Sequence, residues 1–382
     1  MTTTPSSRRI LILAMVMNPL VYAIIVFIIG VTLPTLTAKF NLTDPQKGTL
    51  FLVQNLAILI SILGIGPVMD TYGRKLVLIG GAFLIAASTV AIGFVPTYGS
   101  LLFVLFLLGL GGGCNNVGGS ALIADLFPED SSSAFNWLGA SFGIGAIIIP
   151  LLGSFMIGKY GLGLYVTVLG IIALIPLLIF LGARFPQPKN VEQFAMSELM
   201  KVLANPLILF LGLVLFFYVA VEISTVGWLK DYLINKFSMT DKTSGFVLTG
   251  FSVMMMLGRL SAGFVLKKIK GVHLIVYCAI LSIVGLILMT LTSNLIVTII
   301  GVIVVGLAYA PIYPTSLGTI GDNFDRYVAT TLGLVVSFGF VGSMLLPFLI
   351  GLLGGNMNVI LLAAVLMLLS QLVVVRAIKK RS

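Results

Sequence analysis

The chain has 382 residues, of which 59% are hydrophobic and only 9% are charged, and its formal net charge at pH 7 is +10. Soluble domains carry about 25% charged residues, so this composition excludes an ordinary soluble enzyme. A charge of +10 would favour nucleic acid as the partner of a soluble protein. Here the basic residues lie in short segments between apolar runs, so we expect no nucleic-acid partner.

Apolar runs of about 20 residues recur along the whole chain, and each can cross a ~30 Å hydrocarbon core. They lack the alternation of barrel strands, and lipid leaves backbone groups no outside partner, so we predict helices. The predicted spans are 10–37, 48–69, 75–95, 100–124, 134–157, 163–183, 206–229, 244–265, 273–293, 295–319, 328–352 and 357–376. The fold class is therefore an all-α membrane protein with twelve transmembrane helices.

The sequence repeats itself on either side of one long polar connection, residues 184–205. SFGIGAIIIPLLG at 141–153 resembles SFGFVGSMLLPFLIG at 337–351, and Asp125 recurs as Asp322, 197 residues further on. Such a repeat permits alternating access around a site near the middle of the membrane. We predict two pseudo-symmetric six-helix bundles at 1–183 and 206–382, joined by a cytoplasmic linker at 184–205.

Basic residues concentrate in the connections on one side of the predicted spans, as in GRK at 73–75 and KKIK at 267–270. Positive charge marks the cytoplasmic side of a membrane protein. We therefore expect both termini in the cytoplasm. The compact loops favour a bacterial or archaeal plasma membrane, and we expect a monomer in the bilayer.

No group of residues predicts catalysis, a cofactor or a metal. Cys114 and Cys278 lie inside apolar runs, so we interpret both as small core residues without a disulfide. The only histidine, His273, is isolated. The GLGGG stretch at 109–113 follows no strand and is interpreted as helix packing, and there is no nucleotide phosphate loop or nucleophile–base set. We expect no enzyme activity.

One connection carries a family signature. GPVMDTYGRK at 66–75 resembles the G-x-x-x-D-x-x-G-R-K loop of the major facilitator superfamily, at its usual place between the second and third spans. The resemblance covers the whole chain, because the number of spans, the division into six and six and the long central connection also agree. It implies the major facilitator fold and secondary transport of a solute.

A finer resemblance points to the fucose–galactose–glucose type of sugar transporter within that superfamily. It is carried by AFNWLGASFGIGAIIIPLLG at 134–153, FYVAVEISTVGWL at 217–229 and APIYPTSLGTIGDNF at 310–324. Proton-coupled members are thought to use acids in the first and fourth spans. This chain has no acid in its first span and Asn115 or Asn116 in the fourth, which argues against coupling by that route.

Glu222 is the acid that lies deepest inside a predicted span, with apolar neighbours on both sides. Burying a lone charge costs several kcal/mol (about 2.5–3.5 by insertion scales). An acid kept there despite this cost favours a functional role, the coupling of transport to a sodium ion or a proton. The alternative is a neutral acid bonded to a neighbouring helix. Helical spacing puts Tyr218 and Thr225 on the same face, and we expect α-helical structure to unwind near Gly227 and Trp228.

Other polar and aromatic side chains inside the spans could hold a polar solute. The substrate-binding candidates are Asn18, Tyr22, Gln54, Asn55, Asn115, Asn116, Tyr218, Glu222, Trp228, Tyr309 and Tyr313. The amides could instead bond across closely packed helices, Asn18 could satisfy a carbonyl freed by Pro19, and the tyrosines could simply pack. Asn136 is interpreted as structural. Pro311 and Pro314 are expected to break the tenth span.

By resemblance to the superfamily, charges at one face are expected to gate the transporter. The gating candidates are Asp70, Arg74, Asp125, Arg259 and Asp322, with Arg259 and Asp322 as the counterpart in the second bundle. The alternative is that these charged residues only determine the orientation of the helices in the membrane.

We therefore expect a secondary active or facilitative transporter of a sugar or similar small polar solute, working by rocker-switch alternation. Ion coupling through Glu222 would make it a symporter. Gly143, Gly145, Pro150 and Gly153 also resemble, loosely, the pattern of antiporters, so the alternative is an exporter of drugs or amphipathic compounds. A non-transporting membrane receptor is the third class.

Overall fold

The computed structural model describes residues 5–127, 131–185, 206–323 and 328–379. Within these ranges it does not describe the side chains of residues 5–8, 66–67, 70–71, 124–125, 131–140, 320–323 and 328–332. The predicted linker therefore falls almost wholly outside the described residues, and the domain boundaries stay a prediction.

The described chain is built from helices in the order predicted. They are α1 (Pro5–Phe40), α2 (Asp44–Tyr72), α3 (Arg74–Ala91), α4 (Tyr98–Leu126), α5 and α6 (together Ser131–Gly182), α7 (Pro206–Phe237), α8 (Asp241–Val265), α9 (Gly271–Thr290), α10 (Leu295–Tyr309), α11 (Ile312–Asn323), α12 (Val328–Leu352) and α13 (Val359–Lys379). Gly161 has non-helical angles (φ 83°, ψ 165°) and separates α5 (131–160) from α6 (162–182).

Eleven described stretches are long and apolar enough to cross a membrane, and one of them, Ser141–Gly182, has 42 residues and contains the break at Gly161. Two crossings therefore share that stretch, which confirms twelve transmembrane helices. The tenth crossing is broken as predicted: α10 ends at Tyr309 and α11 begins at Ile312. Pro311 causes the break, whereas Pro314 lies in the first turn of α11, where a missing N–H costs little.

The chain divides into two compact units. The first contains Met1–Val191 with Thr240–Phe246, and the second contains Glu192–Met239 with Val247–Ser382. Within the first unit, α1 packs along α5 and α2 packs along α4. Within the second, α7 packs along α12, and α9 packs along α10 and α13.

Glycines bring helix backbones into contact at matching places in the two units. A Cβ on Gly109 in α4 would overlap the Gln54 carbonyl oxygen of α2, and one on Gly306 in α10 would lie 2.7 Å from the Phe251 carbonyl oxygen of α8. Both members of the second pair lie 197 residues after those of the first. Close backbone approach through small residues is how helices associate in lipid. The interpretation of GLGGG as helix packing is therefore confirmed.

A six-residue segment recurs at the same spacing. KFNLTD at 39–44 joins α1 to α2, and KFSMTD at 236–241 joins α7 to α8. Asn41 (φ 51°) and Ser238 (φ 53°) both adopt the left-handed conformation that ends a helix. The two connections therefore have the same backbone geometry as well as nearly the same sequence.

The lysine of each segment donates to backbone carbonyls at the end of another helix or in the connection just after it. Lys39 Nζ donates a 2.9 Å hydrogen bond to the Val95 carbonyl oxygen just after α3, and Lys236 Nζ donates a 2.9 Å bond to the Thr290 carbonyl oxygen at the end of α9. The last carbonyls of a helix carry partial negative charge. These lysines therefore have a structural role on the side where basic residues are scarce.

Replacing Lys236 with methionine is expected to lower the free energy of unfolding by about 1 kcal/mol, because the carbonyl at the end of α9 loses a charged donor. Thermal unfolding in detergent measures the change. Lys159→Met is the matched control, since Lys159 is exposed and lies over its neighbour Tyr160. Equal stability of the two variants would contradict the capping role.

Candidate functional site

Helix α7 carries Glu222 at its midpoint. The sequence PLILFLGLVLFF opens the helix with strongly apolar side chains, and the helix continues without interruption to Phe237, eight residues beyond the predicted end of the span. The expected unwinding near Trp228 does not occur. Because six residues of continuous helix turn through about 600°, Trp228 lies on a different face from Glu222, and its side chain is buried.

The charge partner of Glu222 comes from α8. Arg259 Nη2 lies 4.0 Å from Glu222 Oε1, with 30% of the Arg259 side chain and 15% of the Glu222 side chain exposed. A carboxylate inside a membrane-spanning segment needs such a partner. The sequence predicted Asp322 as the counterpart of Arg259, but the Asp322 side chain lies outside the described residues.

Close packing at Gly258 fixes the position of Arg259. A Cβ on Gly258 would lie 2.6 Å from the Ala310 Cβ and 2.7 Å from the Leu307 carbonyl oxygen. Leu307 is the residue whose carbonyl loses its helical donor at Pro311. Glycine thus lets α8 approach the break between α10 and α11, which brings Arg259 beside α7.

Three tyrosines surround the ion pair. The Tyr218 ring lies 6.1 Å from the Tyr309 ring and 6.2 Å from the Tyr313 ring, measured between centroids. Tyr309 Oη lies 3.4 Å from Thr225 Oγ1. The face predicted for α7 and the tyrosines predicted in the tenth span therefore meet in the second unit.

Two buried hydroxyl groups on the helices of the cluster have no hydrogen-bond partner among the described residues: Tyr218 Oη in α7 and Ser316 Oγ in α11. The Tyr218 hydroxyl is close enough to interact electrostatically with Glu222, but the geometry is not that of a hydrogen bond. Unpartnered buried hydroxyls are costly. Carboxylate, guanidinium, hydroxyl and aromatic groups are the kinds of side chain that hold a polar solute.

The candidates of the first unit bond mainly to the protein itself. Asn18 in α1 and Asn115 in α4 bond to each other twice. The Nδ2 of each residue lies 3.4 Å from the main-chain carbonyl oxygen of the other. Asn55 Nδ2 donates to the Phe51 carbonyl oxygen one turn earlier in α2. These contacts match the alternative interpretation, in which amides tie helices together. Asn18 bonds to α4, so it does not serve the carbonyl freed by Pro19.

Three candidates of the first unit keep polar or aromatic surface for other contacts. Gln54 Nε2 donates a 2.8 Å bond to the Ile25 carbonyl oxygen, while the buried Gln54 Oε1 has no hydrogen-bond partner in the described chain. Asn116 and Tyr22 are half-buried, and the Tyr22 ring lies 6.4 Å from the Phe142 ring.

Of the gating candidates, Arg74 and Arg259 have described side chains. Arg74 Nη1 donates a 3.1 Å bond to the Ala121 carbonyl oxygen near the end of α4. The side chains of Asp70, Asp125 and Asp322 lie outside the described residues, as does the side chain of Asn136. The gating role stays a prediction.

Two of the glycines that resemble an antiporter pattern, Gly145 and Gly153, pack against α1. A Cβ on Gly145 in α5 would lie 2.8 Å from the Leu20 carbonyl oxygen of α1. A Cβ on Gly153 would overlap the Val31 side chain. The spacing of these glycines thus follows from the contact of α1 with α5.

Sequence comparison places the chain among transporters. A profile described as Major Facilitator Superfamily matches residues 15–347 and 211–382. The glucose/mannose transporter GlcP of Bacillus subtilis (strain 168) is 26% identical over 340 residues, which cover 84% of this chain and 82% of GlcP. The inner membrane transport protein YdiN of Escherichia coli (strain K12) is 22% identical over 346 residues, covering 87% of this chain and 80% of YdiN.

Solved structures share the fold. A bacterial homologue of the human lysosomal transporter Spinster, inward-facing and occupied, superposes with a TM-score of 0.82 at 16% identity and 98% coverage of both chains. A D-xylose–proton symporter gives 0.81 at 14% identity and 96% coverage of both chains. The match of the family profile over most of the chain, together with this fold, makes the protein a member of the Major Facilitator Superfamily, an integral membrane transporter and not an enzyme.

Proposed function

We propose that the protein carries a sugar or a similar small polar solute across the membrane by rocker-switch alternation of its two bundles. The observation that carries the proposal is the cluster around Glu222 and Arg259, in which the Tyr218 ring lies near the rings of Tyr309 and Tyr313 and the Tyr218 hydroxyl has no hydrogen-bond partner among the described residues. Hydroxyl-rich solutes supply matching donors and acceptors, and their C–H faces pack against aromatic rings.

The relatives support the solute class. GlcP is a glucose/mannose transporter by name, and a D-xylose–proton symporter has the same fold. Glu222 is the proposed link to a coupling ion, a proton or sodium, because it lies at the middle of α7 and its side chain is 15% exposed. Both termini are proposed to face the cytoplasm, since basic residues concentrate in the connections on that side.

Exchange of labelled sugar in proteoliposomes tests this proposal. Vesicles preloaded with unlabelled glucose, mannose or xylose are expected to take up the labelled sugar without any ion gradient, and the rate should saturate. Proton and sodium gradients are then imposed separately to find the coupling ion. Protein-free vesicles are the control. Absence of exchange with every sugar, combined with broad drug resistance in an expressing host, would contradict the proposal and favour the exporter.

A further inference from the structure

The connection between α8 and α9 carries a cluster of exposed positive charge. Lys267, Lys268 and Lys270 are exposed, and His273 follows in the first turn of α9, also exposed. No aspartate or glutamate occurs anywhere between residues 242 and 321. The charge of this connection therefore has no acidic partner near it in the sequence.

The corresponding connection of the first unit uses its basic residues internally. Arg74 donates to the Ala121 carbonyl oxygen, and Lys75 Nζ donates to the carbonyl oxygens of Leu181 and Ala183 at 3.0 and 2.9 Å. The 197-residue repeat places Lys267 where the first unit has an acid, Asp70. The second connection is thus more positively charged than the first, and its lysines are exposed where the basic residues of the first bond to backbone carbonyls.

Exposed apolar side chains flank these lysines. Phe264, in the last turn of α8, is 71% exposed, and Leu266 is 41% exposed. Lys267 Nζ lies 5.8 Å from the centroid of the Phe264 ring. Both α8 and α9 are membrane-spanning by length and composition, so their shared connection lies where headgroups meet acyl chains. Lysine stems pack on apolar surface there while the ammonium group stays among the headgroups.

We propose that Phe264–His273 forms a binding site for the headgroup of an anionic phospholipid, held by Lys267, Lys268 and Lys270. Basic clusters directly beside a transmembrane helix attract anionic lipids, and each lysine contributes about a fivefold gain in affinity. The flanking apolar side chains favour a lipid over a soluble anion, because only a lipid brings acyl chains to Phe264 and Leu266. This inference is independent of the transported solute.

The test measures lipid binding to the purified full-length protein in detergent by native mass spectrometry. Phosphatidylglycerol is expected to bind more tightly than phosphatidylcholine, and Lys267→Gln/Lys268→Gln/Lys270→Gln is expected to weaken phosphatidylglycerol binding about 100-fold. The matching triple arginine variant keeps the charge and should bind as the parent does. Lys159→Gln, which removes an exposed charge elsewhere, should also leave binding unchanged.

Several outcomes would overturn the proposal. Parental phosphatidylglycerol binding by the triple glutamine variant would place the lipid elsewhere. Displacement of the lipid by an equal concentration of inorganic phosphate would show a site for a soluble anion. If the triple variant does not fold, the three single glutamine variants decide the question, each with an expected loss of about fivefold.

Discussion

Replacing Glu222 with glutamine is expected to stop solute exchange and to lower the free energy of unfolding by roughly 3 kcal/mol. Glutamine keeps the size of the side chain but removes its charge, so the Arg259 guanidinium, 4.0 Å away, loses its described carboxylate partner. A charge that loses its opposite charge inside a spanning segment is destabilised. Denaturation in detergent measures stability, and sugar exchange in proteoliposomes measures function.

The double variant Glu222→Gln/Arg259→Gln separates the two effects. It removes both charges together, so its stability is expected to return to within about 1 kcal/mol of the parent, while exchange stays lost. Tyr218→Phe is a second control: its hydroxyl has no hydrogen-bond partner among the described residues, so its removal should weaken exchange without lowering stability. Parental exchange by Glu222→Gln would contradict the role of this pair.

Much of the site could be predicted from local sequence. Glu222 is recognisable because burying an acid inside an apolar run costs free energy, which indicates a function. Helical spacing alone places Tyr218 and Thr225 on the same face. Pro311 predicts the break between α10 and α11 because it lacks the N–H that continues a helix. Each of these inferences depends on residues within about two turns of one another.

The partner of Glu222 could not be predicted, because pairing between helices depends on their rotation and relative height. Arg259 reaches Glu222 only because Gly258 lets α8 approach the α10–α11 break, a contact that no spacing rule contains. The predicted end of the seventh span at residue 229 is also wrong, since α7 continues to Phe237. Lys230 and Asp231 resemble the start of a loop, yet both are buried in continuous helix.

A further signal lies in the connections between the spans. KFNLTD and KFSMTD recur 197 residues apart in connections, where sequence normally varies. Such a repeat in a connection indicates a shared structural demand. In the structure both lysines do the same thing: Lys39 and Lys236 each donate to a backbone carbonyl at or just after the end of a neighbouring helix.

The contact of α7 with α12 gives the second large prediction. A Cβ on Gly342 would overlap the Phe216 carbonyl oxygen, a backbone atom that no change of rotamer can move. Gly342→Ala is therefore expected to lower the free energy of unfolding by roughly 3 kcal/mol, measured by thermal unfolding in detergent. Gly250→Ala is the matched control, because nothing lies within 4 Å of its added Cβ, and alanine there should stabilise helix α8 by up to about 1 kcal/mol.

The equivalent position of the first unit makes the prediction sharper. Gly145 precedes Gly342 by 197 residues, and its added Cβ would lie 2.8 Å from the Leu20 carbonyl oxygen and 2.8 Å from the Ala23 Cβ. This contact is tight but looser than that of Gly342, so Gly145→Ala should cost about 1–2 kcal/mol. The repeat thus predicts losses of the same sign in both units and a larger loss in the second. A stabilising effect at either glycine would mean that the two helix pairs are not held by backbone contact.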